Sequence, residues 1–282
     1  MRSTLTALLT CLGIASACSG PASEPAPTPD PVAAAGTGPA RIVPTANPNS
    51  VPPDDRGAAS NAAEALEVIR RVQGDPEALL AAYREGASRA TTMDLTPLDI
   101  GPDSVIADIG AGTGALPVRL IAEGVPFGKL YAVETDRGSL DILGAALEGL
   151  PGGDRVESVL SQRDNVALPP ATVDRVVVLD TGIGCIPSVG DPAMLPPMRR
   201  QSSARLLDSL REAVTDDARV HVLRPWNPPP VPPYRCPQEW VVQSFAQADF
   251  RLVQDHPQTP PEGKTPEHKA FHLVFAPGAG SD

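Results

Sequence analysis

The sequence predicts an α/β fold with a seven-stranded, mostly parallel sheet and helices on both faces. Apolar stretches of strand length alternate with segments of helical periodicity, and only a loop separates the last two strand segments. Strands joined through helices pair in parallel by right-handed crossovers, which bury both faces of the sheet. The last two strands are therefore expected to form an antiparallel pair at one edge.

The elements follow from these patterns in chain order. Strands are predicted near residues 104–109, 128–134, 155–160, 173–180, 218–224, 250–255 and 270–276. Helices are predicted near residues 58–72, 76–90, 114–124, 137–149, 198–214 and 237–248. Asp75 suits the N-cap of the second helix, and Pro76 suits its first turn. Since hydrophobic residues make up 41% of the chain and aromatic residues only 4%, we expect one folded domain with an aliphatic core.

The N-terminus has the layout of an export signal. Arg2 gives a positive start, residues 5–15 are mostly apolar, and small residues precede Cys18. This layout resembles a bacterial lipoprotein signal over residues 1–17, with Cys18 as the lipidated residue. The apolar run of about a dozen residues is shorter than the roughly 20 that span a bilayer. We expect a lipid-anchored protein on the periplasmic or outer face of a bacterial membrane, the alternative being a tail with a chance cysteine.

The domain organisation follows from a change in composition after the signal. Ten of the 34 residues from position 20 to 53 are proline, a composition that favours an extended spacer. The predicted regions are a signal (1–17), a disordered tether (18–55), a helical N-terminal extension (56–98), the main domain (99–277) and a flexible tail (278–282). The helical extension is expected either to cover the ligand site or to act as scaffold.

A glycine-rich turn follows the first predicted strand. Gly110, Gly112 and Gly114 allow a sharp turn and a close approach of a ligand to the backbone at the start of a helix. With Ala115, the glycines also fit the loose dinucleotide pattern, and Glu134 lies at about the spacing of a ribose-binding acid. Asp108 opposes that interpretation, because a carboxylate beside the turn repels a pyrophosphate and attracts a cation.

These motifs resemble class I S-adenosylmethionine-dependent methyltransferases, a Rossmann-like family. The resemblance runs from about residue 56 to residue 277 and is most specific at Asp108, the three glycines and Glu134. It implies S-adenosylmethionine as the cofactor, with the methionine end on the glycine turn, the ribose on Glu134 and the adenine near Asp164 and Asn165. The predicted cofactor-binding residues are Asp108, Gly110, Ala111, Gly112, Thr113, Gly114, Glu134, Thr135, Asp164, Asn165 and Asp180.

Catalytic residues are harder to predict. Methyl transfer from a sulfonium proceeds by in-line displacement, so alignment supplies much of the rate and a base is needed only when the acceptor must lose a proton. Asp180, at the end of the fourth strand, is a weak catalytic candidate with a turn-capping role as its alternative. The segment from Asp180 to Cys185 matches none of the well-known amine-binding motifs of the family.

The remaining histidines and cysteines suggest structural roles. His256, His268 and His272 lack metal-ligand spacing, and His221 is expected to be a core histidine with satisfied hydrogen bonds. No metal site is predicted. Cys185 and Cys236 follow neighbouring strands at one edge of the sheet, so they are a candidate disulfide in an exported protein.

The sequence predicts the first of three functions, and the other two are its alternatives in that order. The first is an envelope-anchored methyltransferase acting on a small molecule, a lipid or another envelope component. The second is an inactive binding module with the same fold, and the third is an NAD(P)-dependent oxidoreductase. The net charge of −11 argues against a nucleic-acid partner.

Overall fold

The computed structural model describes residues 55–85, 88–179, 181, 197–224, 238–257 and 270–278. The strands are β1 (Val105–Ile109), β2 (Lys129–Glu134), β3 (Val156–Leu160), β4 (Val173–Leu179), β5 (Val214–Arg224), β6 (Phe250–Pro257) and β7 (Phe271–Pro277). The α-helices are α1 (Asp55–Arg71), α2 (Pro76–Glu85), α3 (Ala115–Ala122), α4 (Arg137–Leu147), α5 (Pro197–Ala213) and α6 (Gln238–Gln247). Short 3₁₀ helices lie at Arg89–Thr91, Thr96–Leu98 and Gly153–Arg155.

The seven strands form one sheet in the order β3-β2-β1-β4-β5-β7-β6. Each pairing among β1 to β5 is parallel, whereas β7 runs antiparallel to both β5 and β6. This confirms the predicted Rossmann-like α/β class, the mostly parallel sheet and the antiparallel last strand. The strand order reverses between β1 and β4, and open α/β sheets bind ligands at the carboxyl ends of strands beside such a reversal.

Two aliphatic cores cover the two faces of the sheet. On the first face, α1 to α4 pack around β1 and β2, with Leu79, Ile106 and Leu143 fully buried. On the second face, α5 and α6 pack against β4, β5 and β7, and the ring of Phe245 stacks on that of Phe275 at 4.3 Å between centroids. The sheet therefore has helices on both faces, as alternating strands and helices predict.

Strand β5 is longer than the sequence pattern indicates. It begins at Val214 rather than near residue 218, and its pairing shifts register between Val173 and Arg175 of β4. Asp216 and Asp217 are exposed within this extra length. Two consecutive acids interrupt the apolar alternation by which a strand is recognised in sequence, so the pattern places the start of the strand too late.

Helix α2 ends at Glu85 rather than near residue 90. The 3₁₀ helices at Arg89–Thr91 and Thr96–Leu98 continue the chain towards β1. Among the described residues, no helix is long and apolar enough to span a membrane. The predicted signal and the predicted tether up to residue 54, with Cys18, lie outside the described residues, as do Asp180, Cys185, Cys236 and His268. Asp55, the last residue of the predicted tether, is the first residue of α1.

Candidate functional site

The glycine turn connects the end of β1 to the start of α3. The φ angles of its glycines are 80° at Gly110, 54° at Gly112 and 93° at Gly114. Residues that have a Cβ rarely adopt such positive φ angles. The amides of Gly110 and Ala111 donate hydrogen bonds to the Val133 carbonyl of β2 at 2.8 and 3.1 Å. The turn is thus fixed against the neighbouring strand, with Gly114 as the N-cap of α3.

The three glycines have different surroundings. A Cβ on Gly110 would lie 2.4 Å from the Thr181 methyl group, and one on Gly114 would lie 2.2 Å from a Leu143 methyl group. A Cβ on Gly112 would meet no atom of the described residues within 4 Å. Gly110 and Gly114 are therefore required for packing, whereas Gly112 borders open space where a ligand can approach the backbone.

Asp108 and Glu134 lie on the same face of the sheet. Asp108 pairs with Ala132 in register, and Glu134 is two residues further along β2. Asp108 is only 3% exposed. Burial, and to a smaller extent the nearby charge of Glu134, together raise the pKa of its carboxyl group to about 7. Among the described residues, no basic side chain forms an ion pair with either acid.

The Glu134 carboxylate is held by backbone amides. Its Oε2 accepts a hydrogen bond from the Gly112 amide at 2.9 Å, and its Oε1 accepts from the amides of Thr135 and Asp136 at 2.6 and 3.1 Å. The Thr135 hydroxyl also donates to Oε1 at 3.1 Å. These bonds fix the side chain that ends β2 and connect it to the glycine turn.

The loop after β3 lies beside Glu134. The Ser161 amide donates to the Glu134 carbonyl at 2.8 Å, which brings Asp164 and Asn165 to the same edge of the sheet. The Asn165 side chain caps its own loop by accepting from the Ala167 amide at 2.6 Å. Asp164 forms a 3.4 Å ion pair with Arg205 of α5. Both predicted adenine contacts are thus engaged within the protein.

The remaining predicted residues lie within or beside the turn. The Ala111 side chain packs against the first core, and the Thr113 carbonyl accepts a hydrogen bond from the Tyr83 hydroxyl. Asp180 lies outside the described residues. Its neighbour Thr181 is described, and the Thr181 methyl group lies beside the position that a Cβ on Gly110 would take. The end of β4 therefore lies at the glycine turn.

Two residues at the site were missed from the sequence. Tyr83 lies on the apolar stripe of α2 and has the spacing of a core residue. Nothing in the sequence pattern therefore indicates that its hydroxyl donates a hydrogen bond to the glycine turn. Arg119 of α3 is 9% exposed and donates to the carbonyls of Ala90 and Met93 at 2.8 and 2.6 Å. An arginine pointing outward from an amphipathic helix has the same sequence signature, so only the fold reveals its contacts.

Three histidines form a row across the neighbouring strands β5, β7 and β6. His221 Nδ1 lies 3.1 Å from His272 Nε2, and the rings of His272 and His256 lie 4.7 Å apart. His221 Nε2 is buried with no hydrogen-bond partner among the described residues, so the predicted satisfied core histidine is only partly satisfied. No group of three potential metal ligands occurs in the described ranges.

This histidine row predicts acid sensitivity of the fold. Burial lowers the pKa of His221 to about 3 and that of His272 to about 4, from 6.5. Both histidines therefore stay neutral in the folded protein at a pH where they are already protonated in the unfolded chain. This has no effect on stability above pH 6.5, but stability is lost as the pH falls from 6.5 towards 4. Between pH 7 and pH 5 keeping His221 neutral is expected to cost about 2 kcal/mol of stability. In urea unfolding, His221→Val should lose less stability over this range than the wild type, and an equal loss would contradict the assignment.

No protein-family model matches the sequence, and no curated protein matches it. Solved structures with a similar fold include a SAM-dependent methyltransferase from Leishmania major, with a TM-score of 0.47 at 16% identity, covering 76% of this chain and 82% of that one. A SAM-dependent methyltransferase from Aquifex aeolicus has a TM-score of 0.46 at 16% identity, with 76% and 97% covered. The CcbJ methyltransferase from Streptomyces caelestis has a TM-score of 0.48 at 16% identity, with 66% and 87% covered.

Proposed function

We propose that this protein is an S-adenosylmethionine-dependent methyltransferase, anchored at the cell envelope through lipid on Cys18 and acting on a small molecule, a lipid or another envelope component. The observation that carries the cofactor assignment is the pair of carboxylates, Asp108 and Glu134, on one face of the sheet beside an open glycine turn. Asp108 is buried and has no cationic partner in the described part of the chain.

The electrostatics of this pair favour a cationic ligand. Burial and the neighbouring Glu134 both disfavour the charged form of Asp108 in the free protein. A positive charge beside the two acids reverses that penalty, because it stabilises both carboxylates at short range. S-adenosylmethionine carries an ammonium and a sulfonium, and when bound it supplies a methyl group to a nucleophile.

The residues present fit the other parts of the cofactor. Gly112 leaves its backbone open to the ligand, and the fixed Glu134 carboxylate retains acceptor capacity for ribose hydroxyls. Asp164 and Asn165 lie on the adjoining loop, where they can border the base. The chain's contribution to the reaction is then to hold and orient the reacting groups, which accounts for a large part of the rate of such displacements.

The dinucleotide alternative is less well supported by the same geometry. The Gly112 amide already donates to Glu134, so it does not point freely at a phosphate oxygen. Asp108 adds repulsion towards a pyrophosphate. The geometry therefore favours the methyltransferase over an NAD(P)-dependent oxidoreductase.

The proposed location supports a second candidate, a catalytically inactive binding module. S-adenosylmethionine is made inside the cell, so an enzyme outside the cytoplasm needs an external supply of cofactor. Turnover of any acceptor would count against the inactive module. Labelling cells with radioactive palmitate tests the anchor itself: we expect label on the wild type and none on Cys18→Ser, and an unlabelled wild type would contradict lipidation.

Calorimetric titration of the full chain tests the cofactor assignment. We expect binding of S-adenosylmethionine and of its demethylated product, with affinity at least tenfold weaker in Glu134→Gln because the fixed carboxylate is lost. Glu157→Gln is the matched control, since Glu157 is an exposed acid on the neighbouring strand β3, paired with Lys129 at 2.7 Å. Folded protein that binds neither compound would overturn the proposal, and binding of NAD or NADP instead would favour the oxidoreductase.

A further inference from the structure

Helix α2 is attached to the glycine turn by a buried hydrogen bond. Tyr83 is 1% exposed, and its hydroxyl donates to the Thr113 carbonyl. Thr113 directly precedes Gly114, the N-cap of α3, so its carbonyl lies outside the hydrogen-bond ladder of that helix. A carbonyl in this position needs a donor from another part of the chain, and Tyr83 supplies it.

The same N-terminal segment holds α3 at a second point. Arg119 donates to the carbonyls of Ala90 and Met93, and its Nε donates to Glu123 at 2.9 Å. Arg84 of α2 also lies 3.6 Å from Glu123. The segment from α2 to Met93 is therefore connected both to the turn and to the helix that follows it.

We propose that Tyr83 is a positioning residue for the glycine turn, and that its hydroxyl, by holding the Thr113 carbonyl, sets the orientation of the backbone at Gly112 and Gly114 that the ligand meets. The turn contains three glycines and has little intrinsic preference for one conformation, so external hydrogen bonds are needed to select one. The Val133 carbonyl holds the first half of the turn, and the Glu134 carboxylate holds the Gly112 amide. The Gly114 amide donates to the Ala111 carbonyl within the turn, and Tyr83 holds the Thr113 carbonyl between the two glycines. The helical N-terminal extension is thus part of the ligand site.

The protonation state of Tyr83 suits this role. Burial raises the pKa of the hydroxyl well above its usual value of 10. The hydroxyl therefore remains protonated, and a hydrogen-bond donor, at neutral pH and up to its usual pKa. A carboxylate or a histidine at this place would change its hydrogen bonding with pH.

Tyr83→Phe tests the proposal, because it removes one oxygen and leaves the ring packing intact. In the ligand-free protein, the Gly112 and Gly114 amides are expected to exchange with deuterium about tenfold faster, while core amides such as that of Val177 are unchanged. Tyr131→Phe is the matched control. It removes the hydroxyl of another buried tyrosine, on the opposite face of the sheet. Exchange at the two glycines within twofold of wild type in Tyr83→Phe would overturn the proposal.

A second readout rests on the proposed function. At a temperature where all variants are folded, Tyr83→Phe is expected to bind S-adenosylmethionine about tenfold more weakly, and Tyr131→Phe to bind like the wild type. Equal weakening in both variants would overturn the specific role of Tyr83. If exchange at the two glycines is faster in Tyr83→Phe but the wild type does not bind S-adenosylmethionine, the positioning role is supported and the proposed function is contradicted.

Discussion

Asp108→Asn is expected to stabilise the ligand-free protein at pH 8 and to abolish its binding of S-adenosylmethionine. The carboxyl pKa lies at about 7 in the folded state against 3.8 as its ordinary value. Because the folded pKa is the higher one, the contribution of Asp108 to stability is complete below pH 3.8 and is lost as the pH rises towards 7. An uncharged amide of the same shape avoids this loss, which reaches about 4 kcal/mol at pH 8.

Urea unfolding at several pH values measures the effect. The advantage of Asp108→Asn over the wild type should be near zero at pH 4 and should grow up to pH 8. Asp141→Asn serves as control, since Asp141 is an exposed carboxylate on α4. A wild type that is more stable than Asp108→Asn at pH 8 would show that Asp108 already has a stabilising partner.

The same ionisation predicts how ligand affinity varies with pH. A cation requires the charged carboxylate, so the affinity of the wild type for S-adenosylmethionine should fall by up to tenfold per pH unit below about pH 7. Calorimetric titrations at pH 5.5, 6.5 and 7.5 measure this dependence. A flat profile would exclude Asp108 from the binding charge.

Alanine in place of Gly114 is expected mainly to lower stability, whereas alanine in place of Gly112 is expected mainly to lower ligand affinity. At Gly114, the new Cβ would overlap Leu143 and require a φ of 93°, so we expect a loss of stability of about 2–4 kcal/mol. At Gly112, the Cβ would enter open space at a φ of 54°, for which the expected cost is only about 1 kcal/mol. The methyl group there would obstruct the ligand, so affinity should fall far more than tenfold.

Thermal unfolding and ligand titration of the two variants separate these roles. Leu143→Ala provides a check on the Gly114 explanation, because the double variant Gly114→Ala/Leu143→Ala should cost less stability than the sum of the two single changes. Additive costs would show that the overlap with Leu143 is not the cause. Unimpaired S-adenosylmethionine binding by Gly112→Ala would remove this glycine from the ligand site.

The sheet was predictable because its signals are local. Apolar runs of strand length, the helical periodicity between them and the lack of a helical sequence pattern between the last two runs are all properties of short stretches of sequence. The chirality of crossovers then restricts how such strands can be arranged. The predicted start of β5 was wrong for the same reason. The adjacent acids Asp216 and Asp217 conceal the strand pattern, although the pairing of β5 with β4 continues.

The sequence by itself determined the glycine turn and the position of Asp108 beside it, since the spacing of Asp108, Gly110, Gly112 and Gly114 on a strand-turn-helix segment brings them together by local geometry alone. The tertiary structure decided the rest. It enclosed Gly110 and Gly114 with side chains and left Gly112 open. It also brought the Glu134 carboxylate to the Gly112 amide and the Tyr83 hydroxyl to the Thr113 carbonyl. These contacts join residues 22 and 30 positions apart in the chain, and a distance of that kind is set only when helices and strands pack.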